Sequence, residues 1–134
     1  MQWSVSCDVA DREPLRPMGA EAAALLAPLG TETWCTASGR RIRHTVYSLI
    51  GCPPIGAATY LLIRRAADGR RVILAIRRTR SNFPSLNLAH IRRIGARLGA
   101  NEVHLFHGLP TDEGRRDLVA DLSRALHPKR HNRP

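Results

Sequence analysis

Ala58–Arg65 (ATYLLIRR), the pair Asp68-Gly69, and Arg70–Thr79 (RRVILAIRRT) form the stretch that decides the fold. Two apolar runs on either side of Asp-Gly, a strong tight-turn pair, predict a β-hairpin. Both runs are apolar on consecutive residues rather than alternate ones, so the sheet they belong to is expected to be covered on both faces. Downstream, a loop over Arg80–Pro84 leads to Ser85 as an N-cap. Leu88, Ile91, Ile94, Gly95 and Leu98 then fall on one stripe of a helix over Leu86–Leu98, closed by Gly99 and Asn101. Glu102–His107 reads as a short strand. Thr111-Asp112-Glu113 opens a last helix with a hydroxyl cap and two acids at the positive end of its dipole. Leu118, Leu122 and Leu126 face inward on that helix, which ends before Pro128.

Upstream the signals are sparser. Residues 1–17 read as irregular, Ala20–Ala27 as a short helix stopped by Pro28 and Gly30, and Thr45–Ile50 as a strand by composition. Gly51–Gly56 (GCPPIG) is a break. The expected fold is α+β: a small mixed or antiparallel sheet in strand-strand-helix-strand-helix order from residue 57, preceded by a short N-terminal helical arm. The expected division is an arm over 1–38 and a basic domain over 39–134, with a mobile basic tail from about residue 128.

Charge is the strongest functional signal. Residues 1–38 hold two basic and five acidic side chains, net −3. Residues 39–97 hold thirteen arginines and one acid, Asp68, net +12, and residues 98–134 hold six basic and five acidic side chains, net +1. A solvated surface mixes both signs, so a block of one sign points to a polyanion, and a nucleic acid is the expected partner. The candidate contacts are Arg64, Arg65, Arg77, Arg78 and Arg80 of the hairpin and Arg92, Arg93 and Arg97 of the helix ridge that also carries His90. Only six aromatic residues are present, which argues against a base-stacking single-strand platform. The competing expectation is a regulatory module whose arginine-rich face meets an acidic protein partner. The acidic balance of residues 1–38 would also suit an internal cover over the basic face.

Cys7, Cys35 and Cys52 are odd in number and widely spaced, which suits reduced thiols in a cytoplasmic setting. No apolar run approaches a membrane span, so no membrane partner is expected. His104 and His107, three apart in a strand, point to opposite faces and cannot share a metal simply. Ile91–Val103 is similar to the first helix and turn of a helix-turn-helix, but the strand-like residues after it leave no room for a recognition helix.

The element order resembles the GIY-YIG nuclease domain over about residues 57–132, and several residues add to the likeness. Ala58-Thr59-Tyr60 stands where the family opens its first strand with Gly-Ile-Tyr, and Ala75–Thr79 stands where the family places Tyr-Ile-Gly and a basic residue. Asn87-Leu88 followed by Arg92 or Arg93 is similar to the family's Asn-Leu and helix arginine, and Pro128 and Asn132 to its closing Pro and Asn. The resemblance implies that Tyr60 assists the attacking water and Arg92 stabilises the phosphate. Asp117 or Asp121 would then hold Mg²⁺, the cofactor a nuclease of this kind uses. The second tyrosine is replaced by Ala75, the following glycine by Arg77, and the helix glutamate by shorter aspartates. The implied activity is therefore weak or lost endonuclease action on a nucleic-acid-binding scaffold, on DNA or RNA.

Overall fold

The computed structural model describes residues 27–127. The helix expected over 20–27 lies outside the described residues except for Ala27, as does the tail from residue 128. Five strands, β1 (Gly30–Cys35), β2 (Arg41–Ser48), β3 (Thr59–Arg65), β4 (Arg71–Arg78) and β5 (Glu102–Phe106), alternate with two helices, α1 (Pro84–Leu98) and α2 (Asp112–Leu126). The strands form one sheet in the order β1-β2-β5-β3-β4, and every neighbouring pair is antiparallel. The α+β class and the hairpin-helix-strand-helix order expected from residue 57 are therefore present.

The hairpin contains one irregularity that matters for packing. Its register passes from Leu62 opposite Ala75 to Ile63 opposite Ile73, leaving Leu74 as the extra residue of a β-bulge. Leu74 and Ala75 consequently belong to the same core cluster, together with Tyr60, Leu62, Val103, Leu105 and, from α1, Ile91 and Ile94. The opposite face carries Leu61, Ile63, Ile76 and Trp34 against Leu118 and Leu122 of α2. Successive apolar residues of β3 and β4 thus feed one or the other of two cores. That explains the consecutive apolar runs, and the molecule is a helix-sheet-helix sandwich.

Two details depart from the sequence expectation. Residues 30–38, grouped with the arm on charge, form β1 and its turn, and β1 pairs with β2 from Gly30–Val46 to Cys35–Arg41. Helix α1 starts earlier than Ser85: Phe83 takes the N-cap position without a side-chain bond, and Pro84 fills the first turn. Proline there gives up no hydrogen bond and brings a helical φ. Gly99 ends α1 in the left-handed region at φ 86°, where a side chain would be strained. Gly95 lets α1 approach Leu49, whose Cδ1 would sit 2.7 Å from an added Cβ. The cap on α2 is as expected, with Thr111 Oγ1 accepting from Gly114 N at 3.0 Å.

Cys52 is free and buried, but Cys35 is disulfide-bonded, against the expectation that all three cysteines are reduced thiols. Cysteine usage therefore no longer argues for a reducing compartment. No helix among the described residues is long and apolar enough to cross a membrane.

Candidate nucleic-acid interface

The free end of the β3–β4 hairpin meets the start of α1, and basic side chains from the strand end and along one face of α1 border this junction. Position along the strands sets this up. Arg77 lies directly opposite Tyr60, so both point to the α1 side of the sheet, while Arg78 opposite Thr59 points to the α2 side. Thr79 fastens β4 to the start of β3: its N donates to Ala58 O at 2.9 Å, and its Oγ1 accepts from Ala58 N at 3.1 Å. The loop that follows is tied by the buried carboxamide of Asn87. Its Nδ2 donates to Ile55 O and Ser81 O, both at 2.9 Å, and its Oδ1 accepts from Ser81 N at 3.2 Å. These bonds fix the backbone on both sides of Arg80, whose exposed side chain borders Tyr60.

Two adjoining clefts open at this point. One, of about 200 Å³, is lined by Tyr60, Thr79, Leu86, Asn87 and Ile91, with Arg80 and His90 at its side. The other, of about 210 Å³, is lined by Arg77, Arg78 and Arg80, with Tyr60 and His90 again contributing. The electrostatics match the geometry. Burial lowers the pKa of His90, and Arg93, Arg77, Arg80 and Arg97 each lower it further, so four guanidiniums lie close enough to repel an imidazolium. Burial raises the phenol pKa of Tyr60 and the nearby Arg77 and Arg80 oppose that rise. Arg77, Arg80 and Arg97 form no ion pair among the described residues, and Arg93 reaches only His90 Nδ1, at 3.0 Å.

The structure therefore brings Arg77, Arg80, Arg93 and Arg97 to the side of Tyr60, sets Arg78 at the edge of the cationic cleft, and puts the other residues singled out from sequence elsewhere. Arg64 lies beside the Gly99 end of α1. Arg78 pairs with Asp112 at 2.8 Å. Arg92 donates to the carbonyls of Ile50 at 2.7 Å and Cys52 at 3.2 Å, fixing the loop before β3 rather than reaching the clefts. Burial raises the Cys52 thiol to a pKa of about 11, with Arg92 opposing, which keeps it protonated.

Asp117 is exposed on α2. Asp121 is buried and clamps the β1–β2 turn. It accepts from Ser38 N at 3.0 Å, Ser38 Oγ at 2.6 Å and Arg40 Nη2 at 3.2 Å. Burial raises its pKa, but these bonds outweigh burial and hold it at about 2. A Mg²⁺ ion at this pair would have to displace the turn's own donors, and no group of three or more metal-ligating side chains occurs among the described residues. The two aspartates do not fit a Mg²⁺ centre as they stand.

Arg65 belongs to a buried polar network that sequence reasoning missed. Its Nε donates to Glu102 Oε2 at 2.8 Å and its Nη2 to Glu32 Oε1 at 2.7 Å. Arg71 also pairs with Glu32 and lies 4.4 Å over the Trp34 ring. Trp34 Nε1 donates to His104 Nδ1 at 2.9 Å, which leaves the His104 proton on Nε2, bonded to Glu102 Oε1 at 3.0 Å. Burial lowers the pKa of His104, and lowers that of His44 to about 3, so both rings are neutral beside the arginine–glutamate pairs. The only sequence signal for this network was acidic residues standing inside strands, Glu32 and Glu102.

Set against protein-family models, curated proteins and solved structures, the chain has no significant match.

Proposed function

We propose that this protein binds nucleic acid through the cationic face built from Arg77, Arg80, His90, Arg93 and Arg97, on a scaffold that resembles the GIY-YIG domain and has weak or lost endonuclease activity. The observation that carries this reading is geometric: Arg77 and Arg80 line a cleft with His90, Arg93 and Arg97 follow on the same helix, and Arg77, Arg80 and Arg97 form no ion pair among the described residues. A surface meant only for solubility has no reason to crowd like charges. A surface meant for phosphates does, because the ligand supplies the missing negative charge. Tyr60 at the floor of both clefts supports the likeness at one of its two tyrosine positions. Arg92 and Asp121 are occupied with holding loops, which supports a binder over a Mg²⁺-dependent nuclease.

The test is fluorescence anisotropy with labelled duplex DNA, single-stranded DNA and duplex RNA across a salt series, with and without Mg²⁺, each endpoint run on a gel. Expected are binding that weakens steeply with salt and substrate of unchanged length. Mg²⁺-dependent shortening that survives replacement of Asp117 and Asp121 would place cleavage elsewhere in the chain. Absence of retention on any of the three at about 0.1 M salt would transfer the arginine face to an acidic protein partner.

A further inference from the structure

The two clefts beside Tyr60 differ in chemistry while sharing a wall, and that pairing deepens the nucleic-acid reading on which it rests. The cationic cleft offers Arg77, Arg78 and Arg80. The other is predominantly apolar, with Leu86 and Ile91 set against the Tyr60 ring. Tyr60, Arg80 and His90 line both, so they form the boundary between them. Each cleft is smaller than the roughly 300–1,000 Å³ of a pocket for a drug-sized ligand, so each suits one fragment of a molecule with an anionic and an apolar part.

We infer that the paired clefts hold one unpaired nucleotide of a nucleic-acid strand, its base in the apolar cleft and its phosphate in the cationic one. A uniform phosphate-tracking surface would need only the cationic half. Leu86 is 59% exposed and Phe83, one turn earlier, is 64% exposed, although both are large and apolar. Leu86 lines the apolar cleft, and Phe83, the N-cap residue three positions before it, offers a second exposed apolar surface on which an adjacent base can stack. A base seated in that cleft cannot at the same time pair within a duplex, so the site selects an unpaired position. The aromatic scarcity that excludes an extended stacking platform is no obstacle to a cleft for a single base.

The test uses the full chain with three probes of equal length: a blunt duplex, the same duplex with one unpaired nucleotide, and the single strand. Binding of the unpaired-nucleotide probe is expected to be about tenfold tighter than that of the blunt duplex. Leu86→Gln, which removes apolar surface at an exposed position without changing charge, should erase that preference and leave blunt-duplex affinity in place. Arg77→Gln should weaken all three probes. Free deoxyadenosine monophosphate and inorganic phosphate serve as competitors. Displacement of the strand by micromolar mononucleotide would overturn the strand in favour of a free nucleotide. Equal affinity for all probes, or a preference that survives Leu86→Gln, would overturn the paired-cleft inference while leaving the nucleic-acid reading intact. Absence of binding to every probe would sink both.

Discussion

Arg65 and Arg77 look alike in the sequence, each one of a pair of arginines at a strand end, yet their surroundings give them opposite roles. Arg65 neutralises Glu32 and Glu102, whose carboxylates are almost fully buried. Removing it takes a guanidinium from both buried carboxylates and leaves Arg71 on Glu32 and the His104 ring on Glu102. Arg65→Ala should therefore destabilise the fold by about 3–5 kcal/mol in chemical denaturation, and the folded fraction should bind nucleic acid as before. Arg77 is exposed beside Tyr60, so Arg77→Ala should leave the denaturation midpoint in place and weaken binding. If the two variants exchanged these behaviours, the division between network and interface would be wrong. His90 gives a second residue-level prediction, through pH. Its pKa in the free protein lies below the ordinary histidine value because burial and then four arginines disfavour its charged form. A phosphate bound nearby favours that form, so the complex takes up a proton. Affinity should rise as pH falls through the pKa of His90 in the complex and level off below its pKa in the free protein. His90→Gln should flatten that rise. A pH profile that stays steep in the variant would assign it to another group.

At the level of elements, α2 is held to the sheet by polar as well as apolar contact, since Asp121 ties it to the β1–β2 turn. Its folded pKa of about 2 lies under the ordinary carboxylate value of 3.8. The sign follows directly: this contribution to stability is complete above pH 4 and is lost as pH falls toward about 2. Asp121→Asn should lower the melting temperature at neutral pH and lose this group's share of the acid sensitivity, while nucleic-acid affinity stays unchanged. A loss of affinity with an unchanged melting temperature would instead restore Asp121 to the functional site. The two helices, the hairpin and β5 were legible in the sequence because each carries its own period, cap or turn residue. Strand β1 was not. Its residues GTETWC put Glu32, Thr33 and Trp34 inside, and the burial of Glu32 is offset by Arg65 and Arg71, distant in sequence, which meet it there. The same gap separates legible from illegible at the site. A run of arginines announces a cationic surface, but which of them are neutralised depends on acids supplied by β1, β5 and α2.

For the molecule as a whole, the question is whether binding would come from the total charge of +10 or from where that charge is unpaired. Two triple variants separate these. Arg77, Arg80 and Arg97 form no ion pair among the described residues and lie together on the α1 side. Arg70, Arg116 and Arg124 each have an acid partner, in Asp68, Asp112 and Asp121, and lie on the hairpin turn and α2. Changing either set to glutamine removes three positive charges, so long-range attraction at low salt falls by a similar amount in both. Contact with phosphates would not. Each arginine that displaces a condensed counterion adds about 0.9 to the slope of log affinity against log salt on duplex DNA. The Arg77/Arg80/Arg97 variant should therefore lose about 2–3 from that slope, and the Arg70/Arg116/Arg124 variant should keep the parent slope. Equal slopes in the two variants would mean that the protein binds by net charge alone, and the clefts beside Tyr60 would then have no part in holding the strand.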